Sequence, residues 1–282
     1  MKTVLITGAN SGIGKSTAIT LASKGFHIMF IARDELSAEI AKQEIISVSR
    51  NNAVDYILAD LLSLKEVRRV AEKFKKICPT LDILINNAGV CLPDKRISED
   101  GFEAMFQINH LSHFLLTNLL MDMLKKSEKA RIINVSSAGY RSGTFDIDNL
   151  QSEKKFGSFS TYCNTKLLNI LFTFELAELL KNTAITANCL HPGVVNTNFA
   201  GEFRGIYGLM GKIFKPFLIS PEKGAATSIY LATSEEVSQV SGKYFEKCSI
   251  TEPRNKAINI VNQKILWVKS MELAGITEAI TV

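Results

Sequence analysis

Short runs of apolar residues alternate along the chain with longer segments whose apolar positions recur at helical spacing. Short apolar runs bounded by turn residues are typical of buried strands, and a period near 3.6 is typical of helices. The predicted strands are Thr3–Thr7, His27–Ala32, Val54–Ala59, Leu81–Asn86, Ala130–Ser136, Ile185–Leu190 and a short Gly242–Glu246. The predicted helices are about Gly12–Lys24, Glu35–Ser47, Leu64–Ile77, Asp100–Lys126, Phe159–Lys181, Pro221–Thr233 and Asn255–Leu273.

The predicted strands are apolar throughout rather than alternating, and helices separate them. This pattern indicates a parallel sheet covered by helices on both faces, with right-handed connections. We therefore predict an α/β fold, a single Rossmann-type doubly wound sheet of about seven strands in one domain spanning residues 1–282. The apolar, Gly-rich segment at about Asn198–Ser220 interrupts the alternation and is predicted to be a substrate loop.

Composition narrows the class of protein. Hydrophobic residues make up 46% of the chain and charged residues 22%, as in globular proteins. The net charge of +5 is spread over helical segments, so no nucleic-acid partner is expected. The five cysteines include no C-x-x-C pair, which fits free thiols in a reducing compartment. The N-terminus runs directly into a strand without a signal-peptide pattern, so we expect a soluble, cytoplasmic protein.

The turn after the first strand, residues 7–16 (TGANSGIGKS), opens the first helix. Glycines there allow a sharp bend and let backbone N–H groups approach an anion at the helix N-terminus. A dinucleotide-binding turn explains this pattern. A phosphate loop, with Lys15 and Ser16 on phosphates and magnesium, also nearly fits, although Ala9 replaces its first glycine. A plain strand-to-helix turn is the third alternative.

Tyr162 and Lys166 are four residues apart in a predicted helix and therefore share one face. A nearby cation favours the phenolate, and a tuned phenol can exchange a proton with an alcohol or carbonyl oxygen. Small polar turns follow the fourth and fifth strands at Asn86–Gly89 and Ser136-Ser137. The carboxyl ends of parallel strands border the ligand crevice, so we expect these groups to lie near one another.

Together these motifs resemble the short-chain dehydrogenase/reductase family. The matching pieces cover about Thr3–Thr197 in the family's order: Thr7-Gly8-x-x-x-Gly12-x-Gly14, Asp60-Leu61, Asn86-Asn87-Ala88-Gly89, Asn109, Ser136-Ser137, Tyr162-x-x-x-Lys166 and Pro192-Gly193-x-Val195-x-Thr197. The stretches Asn109–Phe114, Tyr162–Leu167 and His191–Gly193 look most like the retinol-dehydrogenase-like branch.

The resemblance implies a nicotinamide cofactor and four catalytic roles. Tyr162 would be the general acid/base, with Lys166 lowering its pKa and binding the nicotinamide ribose. Ser137 would hold the substrate oxygen, and Asn109 would sit at a helix kink and help to hold a relay water. The implied cofactor-binding residues are Gly8, Asn10, Ser11, Gly12, Ile13, Gly14, Arg33, Asp60, Leu61, Asn87, Ala88, Gly89, Tyr162, Lys166, Pro192, Gly193, Val195 and Thr197.

The spacing between the implied serine and tyrosine departs from that of many family members. Residues 138–161 separate Ser137 from Tyr162, a longer stretch than usual, and the insert at about Ala138–Ser158 is similar to those of the retinol-dehydrogenase-like branch. The spacing leaves open which serine of the pair is catalytic.

The end of the second strand bears on the choice of cofactor. An acidic residue there would favour NAD(H), whereas this strand closes with Ala32 and Arg33. Arg33 suits a 2′-phosphate, and Lys15 is expected to add a second cation. Asp34 is close, but it is interpreted as an N-cap of the following helix. NADP(H) is therefore predicted over NAD(H).

The predicted activity is NADP(H)-dependent interconversion of a carbonyl and an alcohol on a lipophilic small molecule. A non-catalytic NADP(H)-binding redox sensor is the alternative, and a phosphate-loop hydrolase a remote one. His110 and His113 are too few for a metal site, so no metal is predicted. The segment at 198–220 is interpreted as a substrate lid, with contact to a membrane surface or to a second copy in a homo-oligomer as alternatives.

Overall fold

A computed structural model describes residues 1–193 and 219–277. All its strands join one sheet of eight, in the order β3-β2-β1-β4-β5-β6-β7-β8. Neighbours from β3 to β7 pair in parallel, and β8 pairs antiparallel with β7. The strands are β1 Thr3–Thr7, β2 His27–Ala32, β3 Val54–Leu58, β4 Ile83–Asn86, β5 Arg131–Val135, β6 Thr186–His191, β7 Tyr244–Glu246 and β8 Ser249–Ile250.

Helices connect the parallel strands and cover the sheet. The described α-helices are α1 Gly12–Ser23, α2 Glu35–Ser49, α3 Leu64–Ile77, α4 Ala104–Phe106, α5 Ser112–Leu119, α6 Met121–Leu124, α7 Ser158–Leu179, α8 Pro221–Thr233 and α9 Ile260–Leu273. A π-helical turn at Gln107–Leu111 joins α4 to α5, and short 3₁₀-helices lie at Ala138–Ser142, Ile147–Asn149 and Glu235–Val237. None of the helices in residues 1–193 and 219–277 combines the length and apolarity needed to cross a membrane.

The sheet is buried on both faces because its strands carry apolar residues in both alternating sets. In β1, Val4 and Ile6 pack in the cluster that includes residues of α1, α2 and α8, whereas Leu5 packs in the cluster with residues of α3, α5 and α7. Successive strand side chains point to opposite faces, so one short segment serves both cores. The predicted doubly wound sheet is therefore confirmed, with a short antiparallel β8 that the sequence did not indicate.

The predicted helix at Asp100–Lys126 was wrong at its start and in its continuity. The helix begins at Ala104, because the buried carboxylate of Glu103 accepts a hydrogen bond from the N–H of Phe106 at 2.8 Å. The π-helical turn then widens it, and a break at Leu120 separates α5 from α6. The tail helix likewise begins at Ile260, since Asn259 caps it.

The tail helix α9 packs against the helices behind the sheet. Trp267 contacts Phe114 with ring centroids 4.9 Å apart and stacks near Phe172 at 6.0 Å. Ser270 hydrogen-bonds the Nε2 atom of His110 at 2.9 Å. Trp267 therefore belongs to the core, and α9 braces α5 and α7, which position part of the site.

Candidate active site

The glycine turn after β1 has the backbone shape that only glycine adopts readily. Gly8 and Gly12 have φ values of +69° and +55°. A Cβ atom on Gly14 would lie 2.3 Å from the carbonyl oxygen of Gly8, so this position has no room for a side chain. Ser11 begins α1 without a side-chain hydrogen bond to its first turn. The N–H groups of that turn are therefore suited to an anion such as a pyrophosphate.

Lys15 takes a different position from the one that a phosphate loop requires. Its ammonium pairs with Glu44 of α2 at 2.6 Å, so it does not reach into the turn. The same pair weakens the expectation that Lys15 would add a second cation for NADP(H). Asp34 caps α2 by accepting from the N–H of Ser37 at 2.8 Å, as its N-cap interpretation predicted. Arg33, exposed at the end of β2, is the cation on which the NADP(H) prediction depends.

Hydrogen bonds connect the turn after β4 to the turn after β1. The side-chain amide of Asn87 donates to the carbonyl oxygens of Thr7 and Gly8 at 2.9 and 3.2 Å. The backbone N–H groups of Asn87 and Ala88 both donate to the hydroxyl of Thr7 at 2.9 Å. The predicted cofactor-binding residues of these two turns are thus held in one unit.

Asn109 lies in the π-helical turn, at the kink that the family resemblance implied. Its side chain makes paired hydrogen bonds with Val90, accepting from the N–H at 2.8 Å and donating to the carbonyl at 2.9 Å. It also donates to the hydroxyl of Thr165 at 3.0 Å. Asn109 therefore connects the segment after β4 to helix α7.

Tyr162 and Lys166 are buried on one face of α7, with 8% and 3% of their surfaces exposed. The Lys166 ammonium lies 5.7 Å from the centre of the Tyr162 ring and donates to the carbonyl of Val135 at 3.1 Å. A Cβ atom on Gly89 would come 3.0 Å from the same ammonium. The predicted pair therefore lies at the carboxyl ends of β4 and β5.

Burial shifts both groups toward their neutral forms. It raises the pKa of the Tyr162 phenol, and a hydrogen bond with Ser137 acts in the opposite direction. Burial lowers the pKa of Lys166 to about 8. The resemblance implied that Lys166 lowers the pKa of Tyr162, whereas desolvation is the largest influence on that pKa and raises it.

The two serines after β5 have different surroundings. Ser136 is buried and donates to the carbonyl of Lys166 at 2.7 Å. Ser137 is half-buried, accepts from the N–H of Gly139 at 3.2 Å and hydrogen-bonds Tyr162. Only Ser137 combines partial exposure with contact to the tyrosine, which favours it over Ser136 as the substrate-facing serine.

Further predicted site residues follow β3 and β6 along the chain. Asp60 accepts from the N–H of Leu62 at 2.9 Å, and buried Leu61 accepts from the Ser112 hydroxyl at 2.6 Å. Gly193 has a φ of +91° just after β6. Of the other predicted residues of this part, Pro192 is half-buried. Val195 and Thr197 lie outside the described residues, as does the 198–218 part of the predicted loop.

An apolar wall beside Tyr162 was missed by the sequence reasoning. Cys91 and Met105 are buried against Tyr162 and Cys163, with Val90, Leu92 and Phe156 partly buried around them. The apolar run after the Asn86–Gly89 turn was the available signal for this wall, since that turn was already placed at the ligand edge. Burial raises the pKa of the Cys163 thiol to about 12, which favours its protonated form.

Comparison with known proteins shows the family of this chain. The model of the short chain dehydrogenase family matches residues 2–205. Retinol dehydrogenase 13 from Homo sapiens is 43% identical over 282 residues, covering 98% of this chain and 85% of the relative. Retinol dehydrogenase 12 from Homo sapiens is 42% identical over 275 residues, covering 98% of this chain and 87% of the relative.

Solved structures share the fold. An uncharacterized protein from Mycobacterium paratuberculosis superposes with a TM-score of 0.77 at 30% identity, covering 98% of this chain and 94% of the other. The RhlG/NADP complex from Pseudomonas aeruginosa has a TM-score of 0.70 at 24% identity, covering 86% and 93%, and indicates the fold alone. The chain belongs to the short-chain dehydrogenase/reductase family, in its retinol-dehydrogenase-like branch, and is an oxidoreductase that acts on CH–OH donors.

Proposed function

We propose that the protein interconverts a carbonyl and an alcohol on a lipophilic small molecule with NADP(H), and that Tyr162 is the general acid/base. The observation that carries the proposal is the grouping of Tyr162, Lys166 and Ser137 at the carboxyl edge of the sheet. A phenol in hydrogen-bond contact with a half-buried hydroxyl, beside an ammonium, is suited to exchange a proton with a substrate oxygen.

The glycine turn fits a dinucleotide. Gly14 has no side chain to fill the space beside the turn, so a pyrophosphate could approach the backbone there. The first N–H groups of α1, which no side chain caps, would then bind it. Gly89 has no side chain to crowd the Lys166 ammonium at the end of β4, where this ammonium would bind the nicotinamide ribose. The bound cofactor supplies the hydride in reduction and accepts it in oxidation.

The protein's own groups handle the proton. In reduction, the hydroxyl of Tyr162 donates its proton to the substrate oxygen, while Ser137 donates a hydrogen bond to the same oxygen. In oxidation, the phenolate takes the alcohol proton back. A neighbouring cation favours the phenolate, so Lys166 in its ammonium form stabilises the tyrosine after the proton has left.

NADP(H) is favoured over NAD(H) by the end of β2. Arg33 is exposed there, and a guanidinium pairs bidentately with a phosphate. Asp34 would otherwise suit ribose hydroxyls, but its carboxylate is engaged in capping α2. The preference therefore depends on one arginine rather than on a pair of cations.

The wall around Tyr162 supports an apolar substrate. Val90, Cys91, Leu92 and Phe156 surround the tyrosine with aliphatic, thiol and aromatic groups. Relatives at 42–43% identity are named retinol dehydrogenases, which makes a retinoid-like aldehyde or alcohol the first substrate to test.

The test is a panel of aldehydes, ketones and alcohols, with NADPH and NADH run in parallel and oxidation of the reduced cofactor followed by absorbance. Apolar carbonyls with NADPH should give the highest turnover. Tyr162→Phe should lose turnover by at least about 100-fold while keeping its affinity for NADPH. If Tyr162→Phe keeps the turnover of the parent protein, the assignment of Tyr162 is refuted. If the parent protein binds NADPH but turns over no substrate in the panel, it is a sensor rather than an enzyme.

A further inference from the structure

His113 is a buried histidine on α5 that lies between the two ligand-binding turns and the catalytic helix. Its ring is 1% exposed. One ring nitrogen, Nε2, lies 2.9 Å from the hydroxyl of Thr7 at the end of β1. The other, Nδ1, lies 3.2 Å from the backbone carbonyl of Asn109, four residues earlier.

Hydrogen-bond chemistry fixes the proton on this ring. The Thr7 hydroxyl already accepts from the N–H groups of Asn87 and Ala88, so its own proton points to Nε2 of His113. The Asn109 carbonyl can only accept, so Nδ1 must carry the ring proton. Both constraints require the same neutral tautomer. Burial, the charge of Lys166 and the neighbouring His110 all lower the pKa of His113, to about 3, whereas its bond to Asn109 acts against them.

These contacts close a loop around Gly89. Starting at Thr7, the loop passes to the N–H of Ala88, along the chain to Val90, and through the paired hydrogen bonds into Asn109. From the Asn109 carbonyl it returns through His113 to Thr7. Gly89, inside this loop, faces the Lys166 ammonium.

We infer that His113 is a positioning residue for the reaction, holding the residue 88–90 segment and Asn109 in fixed register beside Lys166. The inference rests on the proposed function, in which Lys166 and this segment hold the nicotinamide end of the cofactor. The rigid ring of His113 hydrogen-bonds at one nitrogen to the end of β1 and at the other to the π-helical turn. It therefore fixes the distance between these two parts of the chain. Displacement of a reacting group by about 1 Å can cost about 100-fold in rate, so the effect should appear in turnover.

The first measurement is independent of activity. Imidazole ¹⁵N spectra of histidine-labelled protein, with His113 assigned from its missing signals in His113→Phe, should show Nδ1 protonated and Nε2 unprotonated from pH 5 to 8. An Nε2–H tautomer, or a charged ring in that range, would overturn the inference. This result stands whether or not any carbonyl substrate is turned over, so it separates failure of the inference from failure of the proposed function.

The second measurement compares matched variants in the panel assay. His113→Phe and Thr7→Val each remove one side of the loop and should lower kcat by about 10- to 100-fold, with little change in the KM of the carbonyl substrate. The double variant should lose no more than the worse single one, because both break the same loop. Thr7→Ser keeps the hydroxyl and should recover most of the turnover.

Ser270→Ala is the control for a purely structural loss. Ser270 is fully buried and hydrogen-bonds the other histidine of the helix, His110, at 2.9 Å. The variant should lose stability and keep the parent's kcat per folded molecule. If His113→Phe behaves like Ser270→Ala after normalisation to the folded fraction, or if the two loop variants are additive, His113 has no positioning role.

Discussion

The hydroxyl of Ser136 donates a hydrogen bond to the backbone carbonyl of Lys166 at 2.7 Å. Its neighbour Ser137 instead hydrogen-bonds the phenol of Tyr162. Two adjacent, chemically identical side chains therefore have separate tasks, because successive residues leaving a strand point in opposite directions. Ser136 supports the helix that carries Tyr162, and Ser137 is the serine that we propose to face the substrate.

This difference predicts opposite behaviour of two alanine variants. Ser137→Ala should lower kcat/KM for a carbonyl substrate by about 100-fold, since the substrate oxygen loses a hydrogen-bond donor in the transition state. Ser136→Ala should leave kcat/KM within a few-fold and lower the free energy of unfolding by about 1–2 kcal/mol, because a buried carbonyl loses its partner. Steady-state kinetics and urea unfolding of both variants test this, and a greater kinetic loss in Ser136→Ala would reverse the assignment.

Cofactor preference should depend on Arg33. Arg33→Ala should weaken NADPH binding by about 10- to 100-fold and leave NADH binding unchanged, because the proposed partner of the guanidinium is the 2′-phosphate, which NADH lacks. Lys15→Ala is the matched control: its ammonium is paired with Glu44 at 2.6 Å, so the NADPH-to-NADH affinity ratio should not change. Fluorescence titration with both cofactors measures the ratio. A larger shift in Lys15→Ala than in Arg33→Ala would show that Lys15 leaves its ion pair to bind the phosphate.

Local features of the sequence predicted much of this molecule. The strand pattern indicated the parallel sheet because the apolar runs of β1, β2, β4, β5 and β6 are buried on both faces. The four-residue spacing placed Tyr162 and Lys166 on one helix face. Asp34 was interpreted as a cap from its neighbours alone, and the structure confirms it. These features follow from the order of apolar and polar residues within single segments, which sequence patterns report directly.

The parts that were not predicted depend on partners far apart in the chain. The Thr7 hydroxyl and the His113 ring are 106 positions apart, so no spacing rule joins them. Lys15 meets Glu44 on another helix, and its sequence position next to the glycine turn suggested a ligand instead. The start of α4 depends on a buried Glu103 that caps it, whereas glutamate in a sequence usually indicates an exposed helical position.

Gly14 should tolerate no larger residue. In Gly14→Ala the new Cβ would lie 2.3 Å from the carbonyl of Gly8 and 2.5 Å from the Asn87 amide, so the turn must shift. We expect NADPH affinity to fall by more than about 10-fold, because the N–H groups that would bind the pyrophosphate move with the turn. Gly25→Ala is the control, since its space is open but its φ is +84°. It should lose about 1–2 kcal/mol of stability and keep NADPH affinity. Equal NADPH affinities in the two variants would contradict a phosphate site at this turn.

The buried ammonium of Lys166 should make stability depend on pH in a predictable direction. Burial lowers its folded pKa to about 8, below the value of about 10.4 in an unfolded chain. Below pH 8 both states hold the proton, and the folded state bears the full cost of the buried charge. As the pH rises from 8 toward 10.4 the folded state releases its proton first. The free energy of unfolding should therefore increase by up to about 3 kcal/mol from this group.

Lys166→Met isolates that contribution. The variant has no buried charge at this position, so its free energy of unfolding should exceed that of the parent by the largest amount at pH 7. This difference should decline steadily toward pH 10. Lys42→Met provides the control, because Lys42 donates a hydrogen bond to Asp55 that raises its pKa, so the folded state keeps this charge over the same range. Urea unfolding at pH 7, 8, 9 and 10 gives both difference curves. A Lys166→Met curve that stays as flat as the Lys42→Met curve would mean that Lys166 remains charged throughout, and that the ammonium is better solvated than its 3% exposure indicates.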